Sequence, residues 1–351
     1  MIEVIVNAKN TEGILIQIQN YLGGDLTERW GEYALAFDND IGKGCITGIT
    51  FDWGVSLIEL DGLFFEDIQF IYEHKDSIPI HFSYCSQGQY HHRFDNETSF
   101  HTTEQYHSSI IVSKKDLKLY AFFPKDIHII LNQIQIIRAE FIKRRNNQLS
   151  ELNENLYKIF VDDKDQLEFA YYSPIHLRME DYVKTLRDLK SEGMKRVLQI
   201  EGEIYHLLSM HIARHDRYQN NEPVPNSLLK DELKIIRAQA KKILEDPSLN
   251  YNLDQISKDS GLSQAKLQEG FKFLYARTVT EYIRIIRLEA ARDLMNTTDL
   301  NISQIVYTIG FTSRSYFSKI FKEKYDMTPH EFRKKVVVLL MDDEPGSNTI
   351  F

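Results

Sequence analysis

The fold is decided by two stretches near the end of the chain, Asn252-Leu-Asp-Gln-Ile-Ser-Lys-Asp-Ser-Gly-Leu-Ser263 and Asn301-Ile-Ser-Gln-Ile-Val-Tyr-Thr-Ile-Gly-Phe-Thr312, which repeat one another 49 residues apart. Each opens with Asn followed three residues later by Gln, a pair that caps a helix start. Each then predicts a short helix that ends at a glycine, where the left-handed conformation turns the chain sharply. A second helix follows, capped by Ser263 or Ser313. Two such units in matching register predict a pair of helix-turn-helix units.

Apolar anchors complete both units. Leu267 and Phe271 form the inner face of the first unit's second helix, and Phe317 and Phe321 do so in the second unit. Between the units, residues 280–295 predict a helix capped by Thr280 and about 24 Å long. A rod of this length would hold two recognition helices on one side of B-DNA, where successive major-groove openings lie about 34 Å apart.

The charge distribution singles out the same segment. Residues 233–336 contain 18 Lys and Arg against 12 Asp and Glu, whereas the rest of the chain contains 24 against 39. A net charge of +6 beside one of -15 indicates that a phosphate-facing surface is local to this segment. A chance fluctuation among solvated charges explains the same numbers, so charge alone decides nothing.

Residues from about 42 to 131 are typical of an antiparallel β structure. Short, partly alternating apolar runs are separated by Gly, Asp, Asn and Ser, which predicts a sandwich or a small barrel. The predicted strands are 45–51, 55–60, 79–84, 109–113 and 117–123. Gln87-Gly88 predicts a hairpin turn between 82–84 and 90–92.

From about residue 132 to residue 218 the apolar period becomes helical. One stripe runs from Val183 through Ile200 and Ile204 to Ile212 and predicts amphipathic helices. Helices of this kind between two domains commonly carry dimer contacts, and the stripe is equally suited to covering the adjacent sheet. Segment 219–228 is polar with two prolines and indicates a linker.

Several features bound the class of protein. The apolar run 336–341 is too short to cross a bilayer, and no signal peptide is evident at the N-terminus, so we expect a cytoplasmic protein. Cys45 and Cys85 are the only cysteines, which argues against a disulfide scaffold or a thiolate zinc site. The absence of a P-loop, a dinucleotide-binding GxGxxG or a GxSxG elbow gives no enzyme class support.

Four groups of residues between Leu229 and Lys335 form a characteristic pattern: Ile256...Gly261-Leu-Ser263...Leu267...Phe271-Lys272, Tyr282-Ile283...Arg287-Leu288...Ala291, Ile302...Ile305...Gly310-Phe311...Ser315-Tyr-Phe317...Phe321-Lys322, and Thr328-Pro329...Phe332-Arg333. By these elements the segment resembles the C-terminal domain of AraC/XylS-type regulators. Asp326 departs from the pattern, because the family usually has glycine there. Gly270-Phe271 and Thr278-Val279 resemble the branch that includes pyochelin-type siderophore regulators.

The resemblance implies that two recognition helices enter the major groove of promoter DNA. Gln268 suits adenine, and Arg314 or Lys319 suits guanine, so we expect the second helix to supply more electrostatic grip. The implied base-reading positions are Ala265, Lys266, Gln268 and Glu269 on the first helix and Arg314, Ser315, Tyr316 and Lys319 on the second. The implied contacts to phosphates are Ser263, Lys272, Ser313 and Lys322.

Histidines and aromatic residues concentrate before the helices. A metal site of the kind seen in cupin enzymes would need a His-x-His pair with a following Glu, which is missing, so we predict no metal and no cofactor. His211 and His215, one helical turn apart, are interpreted as surface imidazoles. Aromatic residues would either line an effector cavity or fill the core. The residues concerned are His74, His81, His91, His92, His101 and His107, with Phe64, Phe65, Tyr84, Tyr90, Phe122 and Phe123.

The sequence therefore predicts an α+β protein: a β sandwich or cupin-like barrel for effector sensing (1–131), amphipathic connector or dimerisation helices (132–218), a linker (219–228), an all-α double helix-turn-helix domain (229–335) and a tail (336–351). The function expected is that of a sequence-specific transcription regulator, an activator and not an enzyme. Its expected partners are double-stranded promoter DNA, a small-molecule effector, RNA polymerase and a second copy of the chain, with no membrane. The alternative is a metal-binding cupin-type enzyme domain fused to a DNA-binding domain.

Overall fold

The computed structural model describes residues 1–73, 77–145, 149, 152–219 and 228–334. Two compact units divide the chain, Met1–Glu222 and Pro223–Phe351. Most of the predicted linker, the whole tail 336–351 and His74 lie outside the described residues. Within the described part, no helix is long and apolar enough to cross a membrane.

Two sheets form the body of the first unit. Their strands are β1 Ile2–Val6, β2 Asp25–Arg29, β3 Glu32–Asn39, β4 Gly42–Phe51, β5 Val55–Phe64, β6 Ile68–Tyr72, β7 Ile80–Gln87, β8 Gln89–Phe94, β9 His101–Glu104, β10 Ser108–Val112, β11 Leu119–Phe123, β12 His128–Ile136 and β13 Phe169–Ser173. One sheet has the order β1-β6-β11-β8-β9 and the other β13-β10-β7-β12-β5-β4-β3-β2. β1 pairs with β6 in parallel, and the other described pairs are antiparallel.

A large hydrophobic core lies between these sheets and explains why they form a sandwich. Ile46 of β4 and Ile58 and Leu60 of β5 contribute to it, and the rings of Phe64 and Phe123 meet in it edge to face from opposite sheets. Helix α1 (Thr11–Leu22) covers part of the core with Ile14, Leu15 and Ile18, which recur at helical spacing. The aromatic residues of this unit are therefore largely core, as the second of the two interpretations held: Phe64, Tyr84, Tyr90 and Phe123 are buried.

Two predictions about the strands of this unit were wrong. Gln87-Gly88 is not a hairpin, because β7 and β8 belong to different sheets and the chain crosses from one to the other at Gly88 (φ 73°). Residues 132–136 are not helical either: they continue β12, a strand inside the larger sheet where the polar Asn132 and Gln135 are buried as well as the apolar side chains. β13 is a further strand inside the region predicted as helical.

The middle helices are α2 Arg138–Arg145, α3 Glu154–Val161, α4 Leu177–Arg187 and α5 Gly193–Gln219. The apolar stripe of α5 packs within its own unit, against α4 and β13, as the sheet-covering alternative expected. His211 and His215 are buried at 2% and 0% exposure, so their interpretation as surface imidazoles was wrong. Their rings lie edge-on to Phe82 and Tyr171, because the stripe that carries them faces the sheet.

Short helices make up the described part of the second unit. They are α6 Lys230–Glu245, α7 Leu253–Ser260, α8 Gln264–Tyr275, α9 Val279–Thr297, α10 Ile302–Thr308 and α11 Arg314–Tyr325. α8 packs on α6, α7 and α9, while α10 packs on α9 and α11. The arrangement confirms the α+β class, with an antiparallel-rich sheet domain followed by a helical domain that contains two helix-turn-helix units.

Candidate nucleic-acid interface

The first helix-turn-helix unit consists of α7, a glycine turn and α8. Asn252 Oδ1 accepts a hydrogen bond from the backbone N–H of Gln255 at 2.8 Å, which caps α7. The reciprocal half of the predicted capping pair is absent, because the Gln255 side chain donates to Asp259 instead. Gly261 takes the left-handed conformation (φ 69°) as predicted, and Ser263 Oγ accepts from the N–H of Lys266 at 3.3 Å to start α8.

The second unit repeats this design with α10 and α11. Asn301 and Gln304 form the complete reciprocal capping box, with hydrogen bonds of 2.9 and 2.8 Å. Gly310 (φ 81°) turns the chain, and Ser313 Oγ accepts from the N–H of Tyr316 at 3.2 Å. Both predicted second helices therefore begin at the predicted serines.

Helix α9 joins the two units, but its cap differs from the predicted one. Thr278, not Thr280, is the N-cap: its hydroxyl accepts from the N–H of Glu281, and the Glu281 carboxylate accepts from the N–H of Thr278. The hydrogen bonds that the Glu281 carboxylate accepts from the N–H and the hydroxyl of Thr278 lower the pKa of Glu281. Thr280 already lies in the first turn of α9, and Ile283, three residues after it, has no side-chain acceptor for the reciprocal half of a capping box. At 19 residues, α9 is about 28 Å long.

Asp326, the departure from the family pattern, leaves the turn intact. It ends α11 in the left-handed conformation (φ 57°), which aspartate tolerates better than most residues. The corresponding end of α8 is Ala276 (φ 55°). Two residues after each of them a threonine, Thr278 or Thr328, caps the next helical turn.

A buried polar network fixes α11 on α9. Glu289 and Arg292 are 6% and 7% exposed and form an ion pair, and Lys324 from α11 forms a second ion pair with Glu289. The hydroxyl of Tyr325 donates to Glu289 Oε1 at 3.1 Å. Burial raises the pKa of Tyr325 well above its ordinary value, so the hydroxyl stays a donor. The orientation of α11 is thus set by side chains that sequence patterns did not single out.

The candidate base-reading residues of α8 are largely engaged within the protein. Lys266 Nζ contacts Glu232 Oε1 of α6 at 2.6 Å, and this hydrogen bond lowers the pKa of Glu232. Gln268 Oε1 accepts from the N–H of Val279 at 3.1 Å and so helps to start α9. Ala265 is exposed and Glu269 is half-buried.

The candidate residues of α11 are more accessible. Arg314, Ser315, Tyr316 and Lys319 are all exposed. Arg314 Nη1 donates to Ser303 Oγ of α10 at 3.0 Å, which orients the guanidinium without neutralising it. Lys319 Nζ lies 3.9 Å from Glu323, a long contact between two exposed groups that contributes little. Neither Ser303 nor Glu232 carries a sequence signal that would have identified its role.

The candidate phosphate contacts lie at matching places in the two units. Ser263 and Ser313 are exposed at the N-termini of α8 and α11, and Lys272 and Lys322 are exposed on the same helices. Within the described residues no three His, Cys, Asp or Glu side chains are grouped to hold a metal ion, so the metal-enzyme alternative has no candidate centre there.

Comparison with known proteins places these units. Residues 256–335 match the family described as a helix-turn-helix domain. Over 85 residues the chain is 35% identical to regulatory protein SoxS of Salmonella typhimurium, an alignment that spans 24% of this chain and 79% of SoxS. The chain belongs to the AraC/XylS family. The family's members are DNA-binding transcription regulators, so the two capped units are an AraC-type DNA-binding domain.

Other relatives share this AraC-type domain inside longer proteins. The chain is 37% identical over 81 residues to the xylose operon regulatory protein of Escherichia coli K12, covering 23% of this chain and 21% of that protein. It is 38% identical over 99 residues to histidine kinase P4 of Formosa agariphila, covering 28% of this chain and 7% of the kinase. The chain thus spans only a small part of these two relatives, and in both the match accounts for less than a third of this chain.

Proposed function

We propose that this chain is a sequence-specific transcription regulator that reads double-stranded DNA with α8 and α11. The observation that carries the proposal is the repeated unit: two helices start at serine caps, one before and one after the connecting helix α9. Helix N-termini present N–H groups and a positive dipole end to phosphate, and the segment has a net charge of +6.

The two helices contribute unequally to base reading. Arg314 and Lys319 are exposed cations suited to guanine, and Ser315 and Tyr316 lie beside them. On α8, by contrast, Lys266 and Gln268 would have to give up internal hydrogen bonds before they contacted a base. Ala265 and Glu269 offer only a contact to a thymine methyl and an acceptor for cytosine. We infer that α11 supplies most of the discrimination, and α8 mainly shape and position.

Backbone contacts position the protein on the duplex. The hydroxyls of Ser263 and Ser313 use their oxygens as helix caps and keep their protons for a phosphate oxygen. Lys272 and Lys322 extend the same contacts along each helix. These groups carry no sequence information, so their loss should weaken binding to every sequence alike.

Regulation completes the proposal. We infer that the sheet unit senses a small molecule, that two copies of the chain act together, and that the regulator activates transcription with RNA polymerase in the cytoplasm. What supports this is the chain's organisation, a separate α/β unit placed ahead of the DNA-binding unit. A switch of this kind requires that the effector bind two arrangements of the protein with different affinity.

Genome-wide binding by the tagged full chain tests the DNA-reading proposal. We expect discrete peaks with a two-part motif, which Arg314→Ala weakens by about 5- to 150-fold, since one bidentate base contact is worth ~1–3 kcal/mol. Lys143→Ala is the matched control, because it removes one exposed positive charge from α2 in the other unit. Diffuse binding, or equal loss in both variants, would contradict base reading by α11.

A further inference from the structure

The loop between α6 and α7, which leads into the first helix-turn-helix unit, packs against the glycine turn of the second unit. Neither repeat explains this contact. A Cβ added to Gly310 would lie 2.7 Å from the carbonyl oxygen of Ser248 and 2.8 Å from Arg287 Nη2. Glycine is therefore required here for close approach as well as for its positive φ of 81°.

Arg287 fills this junction from the middle of α9. Its Nε donates to the carbonyl oxygen of Pro247 at 3.0 Å, and its Nη2 donates to that of Leu249 at 2.8 Å. The same guanidinium lies 5.6 Å from the centroid of the Phe311 ring, in the turn of the second unit. The Arg287 side chain thus contacts both the loop that leads into the first helix-turn-helix unit and the turn of the second unit.

The loop offers these carbonyls in a fixed arrangement. Asp246 Oδ1 accepts from the backbone N–H of Ser248 at 3.1 Å. The Tyr251 hydroxyl donates to the carbonyl oxygen of Lys242 at 2.9 Å and closes the loop onto the end of α6. A planar guanidinium that donates to two fixed acceptors cannot rotate freely, whereas the ammonium group of a lysine could.

We propose that Arg287 is a positioning residue that sets the angle between the two helix-turn-helix units, and so the spacing at which α8 and α11 meet DNA. The inference rests on the proposed function, because spacing matters only if both helices read one duplex. Each unit keeps its own internal anchors, the Ser263 and Ser313 caps and the Glu289 network, whatever happens at Arg287. Substitution of Arg287 should therefore make the angle between the two helix-turn-helix units more variable, while the structure within each unit is kept.

Operators of altered spacing test this directly. The best operator is first selected from random duplexes with the full-length wild-type chain. Base pairs are then inserted or deleted between its two halves, and in a separate duplex one half is scrambled. Each base pair rotates the halves by about 34–36°. For the wild type we expect one inserted base pair to lower affinity at least tenfold.

For Arg287→Ala we expect about tenfold weaker binding to the best operator, a penalty of less than threefold for the inserted base pair, and unchanged affinity for the half-scrambled duplex. Arg287→Lys should behave alike, since it keeps the charge but loses the fork. Arg284→Ala is the matched control: it removes a positive charge one turn earlier on α9 and should leave the spacing penalty intact. Circular dichroism reports whether each variant is folded.

Gly310→Ala gives a second route to the same junction, because its methyl group would displace Arg287 and the loop. It should flatten the spacing dependence even if Arg287→Ala fails to fold. An equal loss on every duplex, or a spacing penalty that stays at the wild-type value in folded variants, would overturn the role of Arg287. Failure of the wild type to select any sequence would instead overturn the proposed function.

Discussion

At the scale of single residues, two helices of the DNA-binding unit end on a left-handed residue that is not glycine. Ala276 ends α8 with φ 55°, and alanine has no side-chain group that compensates the close contact of Cβ with the backbone. Asp326 has the same conformation at the end of α11. The backbone is fixed there by the hydrogen bond from each residue's N–H to the carbonyl four residues earlier.

Ala276→Gly should therefore raise the free energy of unfolding of the whole DNA-binding unit by about 1 kcal/mol. Denaturant unfolding followed by far-UV circular dichroism measures the change. Ala290→Gly is the control, since it places the same substitution inside α9, where it should cost about 1 kcal/mol. A loss of stability in Ala276→Gly would show that the turn does not strain alanine.

At this scale, the site residues that could be predicted are those whose role depends on their near neighbours in the sequence. Ser263 and Ser313 were identified correctly as caps because capping depends on residues within one turn. The engagement of Lys266 could not be predicted, because its partner Glu232 lies 34 residues earlier on another helix. Whether a residue lies on a helix is a local property, whereas whether its side chain is available depends on packing.

At the scale of elements, two threonines near the start of α9 are alternative candidates for its N-cap. Thr278 and Thr280 are both hydroxyl residues near the helix start, and only the first has an acidic residue three positions later. Thr278→Ala should lower the free energy of unfolding of the whole DNA-binding unit by about 1 kcal/mol, whereas Thr280→Ala should change it by less than about 0.5 kcal/mol. Equal effects of the two substitutions in denaturant unfolding would contradict the capping box.

The strands show where local pattern fails. Strands such as β4 and β5, bounded by glycine and polar turns, were predicted within a few residues. β12 was interpreted in part as a helix, because the steps of three and four residues from Ile134 to Ile137 and Phe141 were given more weight than the polar–apolar alternation of residues 133–136. The strand lies in the middle of its sheet, paired with β5 and β7, so that even Asn132 and Gln135 are buried. Residues 1–41 received no assigned element, although α1 and three strands lie there.

At the scale of the whole molecule, the two units differ in their titratable groups. Eleven of the twelve histidines precede residue 223, and His330 is the exception. Several of the eleven are buried: His92, His211 and His215 are at most 2% exposed, and each has a ring nitrogen without a hydrogen-bond partner among the described residues. A buried imidazole with an unpartnered nitrogen favours the neutral form, so acid should act first on the sheet unit.

Burial, with the nearby imidazole of His101, lowers the pKa of His92 to about 4, and burial lowers that of His211 to about 3. Because both values lie below the unfolded value near 6.5, their contribution to stability is complete above pH 6.5 and is lost as pH falls toward 4. At pH 5 each costs about 2 kcal/mol relative to pH 7. Glu59 acts with the opposite sign: burial raises its pKa to about 7, so protonation on going to pH 5 returns about 2 kcal/mol.

Together these three groups should therefore destabilise the sheet unit by about 2 kcal/mol between pH 7 and pH 5, and His92→Gln should reduce the unit's loss of stability by about 2 kcal/mol. Burial also lowers the pKa of His91 and of His215, which adds to the loss in acid. Tryptophan fluorescence isolates this unit in the full chain, because Trp30 and Trp53 are the only tryptophans. His330→Gln, in the other unit, is the control and should leave the pH dependence unchanged. If His92→Gln lost as much stability as the wild type, protonation of His92 would not be what weakens the sandwich. A further excess of loss in Glu59→Gln over the wild type would confirm the compensating sign, since the glutamine cannot take up the proton that stabilises the wild type at pH 5.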